Sequence, residues 1–182
     1  MKLLSKFSFL ALALAIGFTS CKKDSDNDGK GSSNAASEMT IKGTSSTIGS
    51  GVIIDNGTID NGNFNFDLEL FAEGLTFHSE EDSLSGTGNV LYFEMFTSDS
   101  TGLDAGTYVF NQTTGDKTLD IASAIVNFDS ELEESDEHIS ATSGSVTIDK
   151  DGNTYIIDIE FTDGDGNNVT AHYEGTLYLS VG

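Results

Sequence analysis

From Met39 onward, apolar residues recur at every second position, and the breaks fall on glycine, asparagine and aspartate. That period is the mark of strands with one buried face. The clearest case is Phe64, Phe66, Leu68 and Leu70, set against Asn65, Asp67 and Glu69. Near the end of the chain, Tyr155, Ile157, Ile159 and Phe161 alternate with Ile156, Asp158, Glu160 and Thr162. Val146 and Ile148 precede them across KDGN, and Val169, Ala171 and Tyr173 follow across DGDGNN. Asp-Gly and Gly-Asn supply the positive-φ positions that tight hairpins need. Segments 144–149, 153–162 and 168–180 are therefore expected to form an antiparallel meander, with Gly175 marking a bulge or bend.

Further strands are expected at 39–42, 48–54, 76–78, 89–97, 106–111 and 119–128. No segment holds a 3.6-residue period over three turns, and the acidic stretch 130–138 (SELEESDEH) reads as a solvated loop or one short turn. About 8–10 short strands separated by turn residues predict an all-β fold, either an antiparallel β-sandwich or a barrel, ending in a three-stranded meander. The pattern does not choose between the two.

The first residues follow another rule. Met1 to Lys6 carries two lysines, and FSFLALALAIGF (7–18) is uncharged and mostly apolar. A bilayer-spanning helix needs about 20 apolar residues, so this run fits a secretory signal instead. Thr19 and Ser20 are small, and Cys21, the only cysteine, comes next. That order resembles the bacterial lipobox, with Phe18 where leucine is commoner. The resemblance implies a signal peptide over 1–20 and lipidation at Cys21. More than one acyl chain would anchor the protein firmly, at about 0.8 kcal/mol per buried CH₂. The stretch up to residue 37 is polar and lacks aromatic residues. It cannot repay the entropy of ordering, so 21–37 is expected to be a flexible tether and 38–182 a single domain.

Charge narrows the partners. Of 30 acidic residues 27 lie from Glu38 onward, against Lys42, Lys117 and Lys150, a formal charge of −24. Nucleic-acid affinity comes mainly from basic groups displacing counterions, so no nucleic-acid partner is expected. Docking on an anionic lipid surface is disfavoured for the same reason. Strong acidity suits a soluble monomer.

Candidate chemistry is sparse. Asp163-Gly164-Asp165-Gly166-Asn167 and Asp149-Lys150-Asp151-Gly152-Asn153 place oxygen ligands at alternate positions, as calcium loops do. Both coincide with expected hairpin turns, where the same residues are wanted for turn geometry. Asp24, Asp26 and Asp28 open like an EF-hand loop, but Ala35 stands where the bidentate glutamate belongs. His78, His138 and His172 form no close pair in sequence, so neither a metal site nor a cofactor is expected. Asp158 and Glu160 lie two apart on one strand, roughly 7 Å between Cβ atoms, within the range glycosidases use. Any solvated strand face in so acidic a chain offers such pairs. No Gly-x-Ser-x-Gly elbow occurs. Tyr92, Tyr108, Tyr155, Tyr173 and Tyr178 fall in expected strands and are read as core packing before sugar platforms.

CKKDSD after the cysteine, and YFEMFTSDSTGLDAGTYVF with Gly106-Thr107-Tyr108 ahead of a Gly-rich C-terminal meander, resemble small outer-membrane lipoproteins of Bacteroidota. The resemblance supports the all-β fold and an outer-membrane address, and the expected protein is a lipid-anchored, non-enzymatic binding or structural module. It would sit on the outer membrane, surface-exposed or facing the periplasm, with a glycan or protein as ligand. The alternative is a carboxylate-based hydrolase of surface glycans.

Overall fold

Alternation of apolar and polar positions underlies most of the eleven strands in the computed structural model, which describes residues 36–81 and 83–181, all within the unit Asn34–Gly182. They are β1 (Glu38–Ile41), β2 (Thr44–Thr58), β3 (Phe64–Ala72), β4 (Leu75–His78), β5 (Ser83–Thr97) and β6 (Gly106–Phe110). Then come β7 (Thr118–Asp129), β8 (Glu137–Asp151), β9 (Thr154–Asp163), β10 (Asn168–Gly175) and β11 (Tyr178–Val181). Nine of them close into a barrel in the order β1-β10-β9-β8-β6-β7-β5-β3-β2, with β1 pairing β2 to seal it. Closure removes the free edges that an open sheet would expose. Of the two folds expected, the barrel is the one formed.

The meander is formed by β8, β9 and β10 in antiparallel register. Its last strand is shorter than expected. β10 ends at Gly175, where a Cβ would meet the Tyr173 hydroxyl at 2.7 Å. The chain then steps across to lay β11 parallel to β2, so 168–180 is two strands with different partners. Strands β2, β5 and β8 are also longer than expected, at 15 residues each. Their added ends, such as TSST and SLSGTG, lack alternation. Pairing with neighbouring strands holds them, which is a property of the sheet and not of the segment. The acidic loop is confined to 130–136, because Glu137 and His138 already pair with Val126 and Ile125.

The barrel interior is filled by the inward phase of every wall strand: Phe66, Leu68 and Leu70 from β3, Leu91, Phe93 and Met95 from β5, and Ile157, Ile159 and Phe161 from β9. Phe93 and Phe161 meet edge to face, with ring centroids 6.2 Å apart. Tyr155, expected in the same core face, is only partly buried at its edge. Apolar residues point inward and acidic ones such as Asp158 and Glu160 outward, the reverse of the phase that a membrane-spanning barrel needs.

A polar network sits where β6 wedges between β7 and β8. Asp104 accepts hydrogen bonds from the Tyr108 hydroxyl at 2.8 Å and from Thr97 at 2.9 Å, and pairs with Lys117 at 2.5 Å. The Lys117 ammonium also lies 5.0 Å from the Tyr108 ring, which is fully buried. Burial pushes the Asp104 carboxyl up, but the bonds from Lys117, Tyr108 and Thr97 outweigh it and hold the group at about 2. A carboxyl lowered in the folded state contributes stability that is present above its unfolded value and lost as pH falls through the folded one. Asp104 is therefore expected to remain ionised at pH 3 in a carboxyl NMR titration. The stability it contributes should fade between about 4 and about 2, and Asp104→Asn should flatten the acid limb there.

Candidate functional site

The site is built on the outside of the barrel, where β2, β3, β5 and β7 break their alternation. Val52-Ile53-Ile54, Leu70-Phe71-Ala72, Val90-Leu91 and Ala124-Ile125 put apolar side chains on both faces of the wall. The outward members form a second, smaller cluster of Val52, Phe71, Leu75 and Val90, with Ile54, Phe77, Leu84, Ile125 and Phe128 packed against it. A hairpin arm covers part of this patch. β4 pairs with the first residues of β5 in a separate two-stranded sheet, with Leu75 opposite Gly86 and Phe77 opposite Leu84. Phe77 stacks on Phe71 at 5.9 Å and touches Tyr178 of β11 at 6.2 Å.

Between arm, wall and the 130–136 loop runs a groove with two lobes. The larger, about 530 Å³, is lined by Ile54, Glu69, Phe77, Ser83, Leu84, Phe128, Ser130 and Glu133. The smaller, about 220 Å³, is lined by Glu69, Leu84, Val90, Tyr92, Ser123, Ile125, Phe128 and His138. Glu69, Leu84 and Phe128 belong to both. The larger lobe has a volume usual for small-molecule sites but a lining about equally polar and apolar, whereas the smaller is mostly apolar.

Polar groups on the wall are arranged by strand register. Glu69 stands opposite Tyr92, and Asp67 opposite Glu94. Asn65 donates to Glu94 at 2.8 Å and accepts from Asn56 at 2.8 Å, which orients that carboxylate. Burial pushes the Tyr92 hydroxyl well above the ordinary tyrosine range, and Asp67, Glu94 and Glu69 push it further. It is held protonated, as a donor. The Asp67 Oδ1 atom is buried without a hydrogen-bond partner.

The residues singled out from the sequence lie elsewhere, apart from Tyr92 and His138. Asp158 and Glu160 stand on the exposed face of β9, and His172 Nδ1 lies 2.7 Å from Asp158 Oδ1. His78 bonds Ser85 within the arm at 2.7 Å. The Asp163 carboxylate is used by its own turn, accepting from the backbone of Asp165 and Asn167 and from the Asn167 amide. Those bonds, the Asn167 amide first, hold its carboxyl below the usual range. Among the tyrosines, Tyr108 and Tyr173 are core, whereas Tyr92 faces outward and Tyr178 is exposed. Cys21, the signal segment 1–20 and all but the last two residues of the tether fall outside the described residues. Ser37 is already bonded to the sheet, its hydroxyl accepting from the Glu174 backbone at 2.9 Å.

Sequence reasoning missed the groove. The signal was present in the apolar doublets, which mark strands covered on both faces. Compared with protein families, characterised proteins and solved structures, the chain matches none.

Proposed function

We propose that this protein is a non-enzymatic binding module of the cell envelope, tethered through lipid at Cys21, whose ligand occupies the outer-wall groove. The groove itself carries this reading: a lobe of about 530 Å³ has Phe77 and Leu84 of the hairpin arm on one side and Phe128 among its other walls. The barrel interior is committed to side-chain packing. The lipid anchor rests on the lipobox-like order ending in Thr19-Ser20-Cys21, and the outer membrane is the expected site of display. The hydrolase reading has less support, because Asp158 and Glu160 stand on an open strand face and line neither lobe of the groove.

Two measurements test the proposal. Intact mass of protein extracted from membranes should correspond to residues 21–182 plus acyl chains, and Cys21→Ala should release it; an unmodified cysteine in a soluble fraction would count against the anchor. In an NMR fragment screen, binding fragments should cluster their shifts on Leu84, Ile125 and Phe128. Shifts scattered evenly over the barrel would count against the groove.

A further inference from the structure

We propose that the edge of the wall formed by β11 rests on a neutral lipid surface, with Tyr178, Leu179 and Val181 set into its headgroup layer. The proposal rests on the reading of a lipid anchor at Cys21 and deepens it; the groove has no part in it. Large apolar side chains left exposed are few among the described residues: Val109, Ile121 and Leu132, and three on β11 alone. Tyr178 is 55% exposed, Leu179 66% and Val181 80%, on a strand of four residues. In so acidic a chain, residues 175–182 carry no charge. Among the described residues β11 pairs with β2 alone, so its other edge is unpaired.

The path of the chain points to what covers this edge. β1 lies beside β2 as far as Glu38, opposite Thr47. Past that point β11 takes the place beside β2, from Val52 to Asp55. Ser37 is fixed at the junction: its carbonyl accepts from the Ile48 N–H at 2.9 Å, and its hydroxyl accepts from the Glu174 N–H at 2.9 Å. The chain arriving from Cys21 therefore enters the barrel next to β11. Ile48 precedes Val52, the partner of Tyr178, by about 13 Å of strand. From Cys21 to Ser37 the chain can span about 55 Å at most. A tether of that reach holds the edge at high effective concentration over the bilayer that holds the lipid, so three side chains suffice where they would not for a free protein. Tyrosine suits the boundary layer, with an apolar ring and a wet hydroxyl. The headgroup layer also leaves water at the unpaired backbone groups, which the hydrocarbon core would not. Anionic lipid would repel this chain, and so would a second copy of it, which leaves a neutral surface. The acidic loop 130–136 follows β7, which runs antiparallel to β2 and β11, and so lies toward the other end of the wall.

Because the chain has no tryptophan, a single one reports its surroundings by fluorescence. Membrane-extracted protein carrying Leu179→Trp is placed in phosphatidylcholine vesicles, plain or brominated on the acyl chains. The comparison is Leu132→Trp, a site equally exposed at 65% but on the far loop. The Leu179→Trp protein is expected to shift its emission to the blue on plain vesicles and to lose most of it on brominated ones. The Leu132→Trp protein should do neither. Val181→Asp added to Leu179→Trp should restore the emission while the anchor keeps the protein on the vesicles. Equal quenching of the two reporters, or quenching that survives Val181→Asp, would mean proximity through the anchor alone and overturn the proposal. An unquenched Leu179→Trp reporter on protein that sediments with the vesicles would also overturn it, while leaving the anchor standing. In lipid-free Cys21→Ala protein, a blue shift of the Leu179→Trp reporter that grows with protein concentration would give the edge to a second copy and overturn it as well. If the membrane-extracted protein does not sediment with the vesicles, anchor and proposal fall together.

Discussion

Phe161→Ala is expected to cost about 3–5 kcal/mol of stability, and Ile157→Ala about 2–5 kcal/mol, as truncations of fully buried side chains do. Phe161 fills the barrel from β9, reaching the Phe93 ring across the interior. Its backbone partner on β8 is Gly144. A Cβ on Gly144 would come within 2.5 Å of the Phe161 Cβ, so the pair is fitted closely and little can move in to fill the void. Thr162 lies on the other phase, half-buried, with its hydroxyl donating to Asn168 at 2.9 Å. Thr162→Ala should stay within about 1 kcal/mol. Denaturant unfolding of the three variants reads the register directly, because a slip of one residue exchanges the two faces. Mild effects at both Phe161 and Ile157 would show that β9 turns its other face to the core.

Gly86→Ala should unseat the arm and abolish the groove, at a cost on the order of 2–4 kcal/mol. Gly86 has φ +99°, and a Cβ there would lie 2.0 Å from the Gly74 carbonyl oxygen. Neither side of that contact is a flexible side chain. The same residue ties the arm to the 130–136 loop: its N–H donates to the Ser130 hydroxyl at 2.8 Å, and its carbonyl accepts from the Ser130 N–H at 3.1 Å. Losing it separates Leu84 from Ser130 and Phe128, which together frame the larger lobe. Hydrogen exchange should accelerate in β4 and in residues 83–86 while β9 and β10 stay protected. Gly152→Ala is the control. Gly152 also has positive φ, +61°, but open space where a Cβ would sit, so it should cost only about 1 kcal/mol. If Gly86→Ala is as mild as Gly152→Ala and the arm amides remain protected, the arm is not held as described.

Local pattern alone determined that this chain is all-β, that Phe66, Leu68, Leu70, Ile157, Ile159 and Phe161 face the core, and that DGDGNN and KDGN are turns. Each of these rests on interactions within a few residues: the two-residue side-chain period, the φ values that Gly and Asn permit, and the Asx bonds that occupy Asp163. Gly175 was legible as a break for the same reason. Tertiary structure decided the rest, because closure into a barrel depends on β1 finding β2, and β11 leaves the meander to lie beside Val52 and Ile54 on the far end of β2. No residue in 178–181 encodes that partner by period or spacing. The groove belongs to the same category. Its outward apolar positions were visible as doublets in the sequence, but Glu69, Phe77 and Phe128 come from separate segments. Register across β3 and β5, and a sharp bend at Gly74 and Gly86, bring those segments to one surface. Side-chain chemistry can be read along a chain, whereas convergence of distant side chains is a property of the packed sheet.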